Sequence, residues 1–239
     1  MSHLHFPDGV ISPQWWIGGY LLAFAILFLS FKRMNKDEIR SRIPFVGVLA
    51  AIMLITMSVP LGFIPFHLSL AVLCGILAGP ALGFTAVFVV NLFMALMGHG
   101  GITMVGLNTL IIGSEVAIGY GLFRLLSPRI RPVPGAAVAV CCALLVSTLL
   151  MLGVTGIAAG QAGAVPHAYH AGAVDKAFEA AHEEAGLFEE IEDTSFLIFT
   201  GWGAVLSVLV LGIGLEALVT ALIVRFFLKV RPDLVKSVS

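Results

Sequence analysis

Long apolar runs constrain this chain more than any other feature of its sequence. Of its 239 residues, 59 % are hydrophobic and only 11 % are charged, and the mean hydropathy is +1.04. Soluble domains are about 45–50 % apolar and about 25 % charged. The apolar runs are 15–31, 43–59, 67–79, 80–97, 103–126, 134–158 and 196–228. Because a spanning helix needs about 20 residues, the sequence predicts an all-α integral membrane protein, a bundle of about seven transmembrane helices.

The basic residues predict how this bundle is oriented. Every Lys and Arg except Lys176 lies in the links 32–42 and 124–131 or in the stretch 225–236. Basic residues near helix ends stay cytoplasmic, so we expect the amino terminus outside and the carboxyl terminus in the cytoplasm. The expected parts are an outer segment 1–14, six helices within 15–158, an acidic outer loop 159–195, a seventh helix 196–228 and a cytoplasmic tail 229–239.

Four histidines fall at the expected outer ends of the helices: His3, His5, His67 and His99. Imidazole is a good ligand for cobalt, nickel, copper and zinc. Met1, Ser2 and His3 also place an imidazole close to the terminal amine, where amine, backbone amide and imidazole can chelate one ion in a plane. Such a nitrogen plane suits Ni(II) or Cu(II). The alternative is that the terminal histidines are solvated, and that His99, between glycines, only caps or shapes its turn.

Several other polar residues are candidates for supporting such a site. Asp8 lies in the turn signature Pro7-Asp8-Gly9, from which it could hold a ligating imidazole by a hydrogen bond. Asn108, near the outer end of the fifth run, could orient the terminus. Glu115 and Glu216 lie inside apolar runs, where carboxylates are costly and are candidates for function. Pairing with hydroxyls, or burial as a neutral acid, is the alternative for both.

Other function classes find little support in the sequence. The acidic loop 159–195 contains His167, His170 and His182, which could gather cations, or could simply be solvated. Its residues 174–188 have the pattern of a short amphipathic helix. Gly186 stands where a zinc protease motif beginning at His182 would need a second histidine. No Walker A sequence is present, and the net charge of −1 does not indicate nucleic-acid binding.

Three stretches resemble the CbiM/NikM family, the substrate-binding membrane subunits of energy-coupling-factor cobalt and nickel transporters. The stretches are His5-Phe6-Pro7-Asp8-Gly9-Val10-Ile11-Ser12-Pro13, the run 44–51 and the run from Gly98-His99-Gly100-Gly101 to Asn108. The first is similar to the family's His-Ile-Pro-Asp-Gly start. The pattern covers residues 1–126 well and the remainder by hydropathy only.

The resemblance implies a function in metal uptake. The amino terminus would insert among the helices and bind one Co(II) or Ni(II) ion through its amine, its backbone and a histidine, with a second histidine, by position His67. Alignment on Pro7-Asp8-Gly9 favours His5 as the terminal ligand, whereas distance from the amine favours His3. His99 replaces a more usual aspartate and could add a ligand, which leaves zinc open.

The resemblance also implies partners and a location. ABC ATPase subunits and a transmembrane coupling subunit would drive release of the ion, so the chain itself would be a multi-pass protein of the prokaryotic plasma membrane with no enzymatic activity and no cofactor. A membrane metal sensor or scaffold that does not transport is the alternative from a different class.

Overall fold

A computed structural model describes residues 8–9, 11–58, 67–162 and 201–236 of the chain. Within these ranges the chain forms eight α-helices and no strand. The helices are α1 (Pro13–Arg33), α2 (Lys36–Ser58), α3 (Ala71–Ala78), α4 (Pro80–Leu96), α5 (Val105–Leu126), α6 (Pro132–Ala162), α7 (Gly201–Val230) and α8 (Pro232–Lys236). The prediction of an all-α architecture is confirmed.

Five of the described helices are long and apolar enough to cross a membrane: α1, α2, α5, α6 and α7. Helix α4 is apolar but has 17 residues, and α3 has eight. The outward faces of the long helices carry exposed apolar side chains, such as Leu21 and Phe28 on α1 and Leu149 on α6, which are 67–68 % exposed. Because apolar side chains are unfavourable in contact with water, this surface is suited to contact with lipid. The expected multi-pass membrane protein is confirmed.

Two boundaries differ from those predicted from hydropathy. The basic stretch 32–42 is not a loop, because α1 continues to Arg33 and α2 begins at Lys36. Charged residues with good helix propensity extend the helical ends there. The third apolar run forms a helix only from Ala71, and residues 67–70 are non-helical. Polar contacts to these residues, described below, explain this short helix.

Helix α5 is the centre of the bundle, and it packs against α1, α3, α4 and α6. Helix α3 is buried on all sides, as expected of a short helix that is apolar around its whole circumference. The carboxyl-terminal α8 folds back onto this core, where Val235 is only 1 % exposed. The predicted tail 229–239 is therefore in part a packed element.

Helices α1 and α5 approach each other closely at a pair of glycines. A Cβ added to Gly106 would lie 2.5 Å from the backbone nitrogen of Tyr20, and one added to Gly19 would lie 2.9 Å from the backbone nitrogen of Leu107. Both obstacles are backbone atoms, which cannot rotate away. The absence of side chains at these two positions thus permits the contact that holds α1 on the central helix.

We predict that Gly106→Ala destabilises the protein by about 1–3 kcal/mol, because the new methyl group must push α1 away from α5. Gly121→Ala on the same helix is the matched control, since nothing lies within 4 Å of its added Cβ; it should be neutral or stabilising by up to about 1 kcal/mol. Thermal unfolding in detergent measures both. Equal melting temperatures for the two variants would contradict a tight α1–α5 contact.

Candidate functional site

The described residues include part of the predicted metal site. Met1, Ser2, His3 and His5 lie outside them, whereas Asp8, His67, His99, Asn108 and Glu115 lie within them. Among the described residues, no group of three or more His, Cys, Asp or Glu side chains is arranged to hold a metal ion. The predicted ligand set takes most of its members from residues 1–7, and it stays a prediction.

Asp8 attaches the beginning of the chain to the turn between α4 and α5. Its carboxylate accepts hydrogen bonds from the N–H of Ile102 (3.0 Å), the N–H of Thr103 (2.9 Å) and the Thr103 hydroxyl. A Cβ added to Gly101 would lie 2.2 Å from Asp8 Oδ1, so only glycine leaves room for this carboxylate. We call this arrangement of Asp8, Gly101, Ile102 and Thr103 the Asp8 latch.

The turn that receives Asp8 is shaped by its glycines and by contacts from α1. Gly98 and Gly100 have φ values of 85° and 93°, which side chains other than glycine rarely adopt. The Tyr20 hydroxyl donates a hydrogen bond to the carbonyl of Ile102, and Ile11 packs against Met104, Leu107 and Ile111. The sequence around Asp8 and the glycine turn, far apart in the chain, therefore meet at one end of the bundle.

The latch depends on the charged form of Asp8. Partial burial raises the pKa of Asp8, but the hydrogen bonds from Thr103 and Ile102 favour the carboxylate, and the net pKa lies below its ordinary value of 3.8. A depressed pKa in the folded state means that the latch contributes stability above about pH 3.8 and loses it as the pH falls through the lowered pKa. At neutral pH the latch is complete.

His67 begins a short non-helical segment, residues 67–70, that leads into α3. The residue is half-buried, and its Nδ1 atom lies beneath the surface. Leu70, at the end of this segment, has a φ of 53°, an uncommon left-handed conformation for a residue other than glycine. A segment in this conformation needs support from its surroundings.

Two glutamates and two serines provide that support inside the bundle. The Glu216 carboxylate, on α7, accepts hydrogen bonds from the N–H groups of Ser69 (3.2 Å) and Leu70 (3.0 Å) and from the Ser69 hydroxyl (2.7 Å). Ser69 Oγ also lies 3.1 Å from Glu115 Oε2, and Ser147 on α6 donates to Glu115 Oε1 at 2.6 Å. We call these four residues the serine–glutamate junction.

The junction is completely enclosed and brings together four parts of the chain. Ser69, Glu115 and Glu216 are 0 % exposed, and Ser147 is 4 % exposed. The sequence analysis named both glutamates as candidates, and the structure pairs both of them with serine hydroxyls. Nothing in the sequence pointed to Ser69 and Ser147, because isolated serines are common in apolar helices and their pairing depends on tertiary contacts.

The other two predicted residues lie near the latch end of the bundle. His99 is exposed on the turn, and its N–H closes the end of α4 by a bond to the carbonyl of Met94 (2.9 Å). Asn108, in the first turn of α5, is 4 % exposed. Nearby, the Asn91 amide donates to the Thr109 hydroxyl (3.3 Å), which connects α4 to α5 through another buried polar pair.

The fold and the polar contacts together define a class of protein. It is a multi-pass helical membrane protein with a short buried helix, α3, that follows a non-helical segment, and with an anchored Asp8 segment before α1. Two solved structures, titled as a transition metal transporter and a truncated transition metal transporter, share this fold. Each has a TM-score of 0.69 and 21 % sequence identity to this chain and covers 95 % of it; the chain covers 99 % of the truncated protein and 93 % of the other.

The family follows from the sequence comparison. Residues 5–234 match the family model CbiM, described as the cobalt uptake substrate-specific transmembrane region, so the chain belongs to the CbiM family. It is therefore a membrane component of a metal uptake system, and the description of the family names cobalt. The family predicted from the three motifs is confirmed, and the match extends beyond residue 126 to nearly the whole chain.

Two relatives of this chain have names that are consistent with its membership of this family. A protein of Haloquadratum walsbyi that is described as a metal transport protein is 28 % identical over 97 % of this chain and 93 % of its own length. The fused nickel transport protein NikMN of Rhodobacter capsulatus is 29 % identical over 48 % of this chain and 35 % of its own length.

We predict that Asp8→Ala opens the latch. Hydrogen exchange at the amides of Ile102 and Thr103 should rise at least about tenfold, since each loses a bond to a charged acceptor. Asp37→Ala is the control, because Asp37 is an exposed carboxylate in the first turn of α2 and its loss should leave both amides unchanged. Unchanged exchange in Asp8→Ala would mean that the turn is held by its own backbone.

Proposed function

We propose that this chain is the metal-capture subunit of an energy-coupling-factor importer and that it binds one Co(II) or Ni(II) ion. The ligands we propose are the terminal amine and backbone of Met1 and Ser2, the imidazole of His3 or His5, and His67. Nitrogen donors of this kind suit both metals, and a planar set favours Ni(II). The ion is the substrate of the protein.

The single observation that supports this proposal is the position at which the Asp8 latch holds the start of the chain. Asp8 is fixed beside residues 101–103, directly before α5 begins at Val105. Glu115, in contact with Ser69, lies ten residues further along α5, a depth of about 15 Å along the axis. Seven extended residues reach about 23–25 Å. The segment before Asp8 is therefore long enough to enter the bundle and reach His67.

We propose that His99, unlike His67, is not a ligand in the closed site. Its exposure on the turn suits a residue at the entrance to the site, where an imidazole attracts metal ions without closing their coordination. Asn108 and Asp8 lie near the same end of the bundle and support the terminal segment. We propose that this end faces outward and that the basic carboxyl-terminal part faces the cytoplasm, in keeping with the distribution of Lys and Arg.

Transport requires partners that supply energy. We propose ABC ATPase subunits and a transmembrane coupling subunit, acting with this chain in a prokaryotic plasma membrane. The chain would then contribute binding and release but no chemical step. A protein that only senses metal would have no need of these partners, so the two functions differ in a measurable way.

We expect His67→Ala to lower the affinity for Ni(II) and Co(II) more than about 100-fold, since loss of a group that only supports a ligand already costs about 10–100-fold. His99→Ala is the matched control and should cost less than about tenfold. Isothermal titration of the purified protein with Ni(II), Co(II) and Zn(II) gives these affinities. An amino-terminal extension of a few residues, which moves the amine away, should abolish binding without changing the melting temperature. Full affinity in His67→Ala or in the extended protein would exclude the site.

Metal accumulation in cells separates the importer from the sensor. We expect cells that express this chain with its ATPase and coupling subunits to accumulate Co(II) or Ni(II), and cells that lack the ATPases to accumulate none above background. Radioactive metal uptake measures this, with His67→Ala as the inactive control. Tight binding without uptake in the complete system would favour a sensor or scaffold.

A further inference from the structure

The peptide group between Ile102 and Thr103 is held on both of its sides. Its N–H donates to Asp8 Oδ1 at 2.9 Å, and its carbonyl accepts a hydrogen bond from the Tyr20 hydroxyl of α1. In a planar trans peptide these two groups point in opposite directions, so Asp8 and Tyr20 hold opposite sides of one peptide group. The Val105 N–H also approaches this carbonyl, at 3.4 Å, and the tyrosine hydroxyl is the closer of these two donors.

The turn that contains this peptide group is rich in glycine and needs support from outside. Glycines occupy positions 98, 100 and 101, and Gly98 and Gly100 have positive φ values. Because glycine has the widest choice of backbone conformations, such a turn can reorient its peptide groups at little cost. Contacts from other elements therefore select the orientation in which the N–H groups of Ile102 and Thr103 point to Asp8.

Tyr20 can supply such a contact because its own position is fixed. Its backbone lies against α5, where a Cβ added to Gly106 would come within 2.5 Å of the Tyr20 nitrogen. Its ring stacks on Phe24 with 5.9 Å between centroids, and the Phe24 ring lies 5.5 Å from that of Phe88 on α4. These contacts to α5 and, through Phe24, to α4 restrict the rotamers of Tyr20 and so hold its hydroxyl at the turn.

The two contacts on the peptide group reinforce each other. Hydrogen bonds in a chain polarise one another, so a carbonyl that accepts a bond makes the N–H of the same peptide group a stronger donor. The Tyr20 hydroxyl thereby strengthens the bond from Thr103 to the Asp8 carboxylate. Ile11, which lies between Asp8 and Tyr20 in the sequence, packs against Leu107. This apolar contact keeps Asp8 and Tyr20 at the same end of the bundle.

We propose that Tyr20 is a positioning residue for metal capture, and that it acts by holding the 102–103 peptide group in the orientation that Asp8 needs. Through this peptide group Tyr20 fixes the point from which the terminal segment, with the proposed ligands among residues 1–5, starts towards the bundle. A fixed starting point reduces the conformational entropy that the segment loses when it binds the ion. The role in capture rests on the proposed function, whereas the role in holding the turn does not.

Hydrogen exchange of the metal-free protein tests the hold on the turn. Tyr20→Phe removes the hydroxyl but keeps the ring and its stacking on Phe24, so exchange at the Thr103 amide should rise about three- to tenfold. Tyr120→Phe is the matched control, since Tyr120 is a half-buried tyrosine that follows Val105 on α5 by about 22 Å along the axis. It should leave this amide unchanged. Unchanged exchange in Tyr20→Phe would overturn the proposed hold.

Titration of the purified protein with Ni(II) tests the role in capture through a double-mutant cycle. Tyr20→Phe should weaken binding about three- to tenfold and leave the absorption spectrum of the bound ion unchanged, because the ligands stay the same. Asp8→Ala should weaken binding further. The double variant should bind within about twofold of Asp8→Ala alone, since the hydroxyl has nothing to position once the carboxylate is gone. Tyr120→Phe should bind as the wild type does.

The outcomes of this cycle separate a positioning role from a structural one. Additive losses in the double variant, or wild-type affinity in Tyr20→Phe whatever its melting temperature, would overturn the positioning role and leave Tyr20 as a structural contact only. If the wild type itself binds no Ni(II), the proposed function and the role in capture fail together. The exchange measurement on the metal-free protein still decides in that case whether Tyr20 holds the turn.

Discussion

The contact between Glu216 and the amino-terminal end of α3 supports much of this structure. A helix that begins inside an apolar bundle leaves backbone N–H groups that no water can satisfy. Glu216 accepts two of these groups, and Ser69 Oγ accepts the N–H of Ala71. This arrangement permits the left-handed conformation of Leu70 and ends the non-helical segment that His67 begins. Without these acceptors, residues 67–70 would satisfy more of their backbone groups by joining α3 in one longer helix.

The protein has two polar anchors, each supporting a different part of the proposed metal site. The Asp8 latch attaches the terminal segment to the turn before α5, and the serine–glutamate junction holds the segment of His67 deep in the bundle. Helix α5 connects them, since Thr103 lies just before it and Glu115 in its middle. Both anchors use carboxylates that accept backbone N–H groups, which gives direction and rigidity where apolar packing alone gives neither.

Hydropathy predicted most helices of this protein because lipid exposure and helix length are properties of local sequence. The prediction was wrong where charge or tertiary contact decided the outcome. Residues 36–42 are helical although they lie in a highly charged stretch, and residues 67–70 are non-helical although they begin an apolar run. His67, Asp8 and Glu115 were recognised as candidates, since polar groups beside or within apolar runs stand out. Ser69 and Ser147 were missed, because a single serine has no local pattern that distinguishes it.

The sequence by itself determined that this is an all-α membrane protein and that it belongs to a family of metal uptake proteins, and it predicted a metal site at the histidines with the intramembrane glutamates as further candidates. Composition, run length and short motifs are sufficient for these conclusions. Only the tertiary structure decided that Asp8 binds residues 102 and 103 and that Glu115 and Glu216 share Ser69. These contacts join residues 94 and 147 positions apart, and hydrogen bonds over such separations depend on how helices pack, which no local pattern encodes.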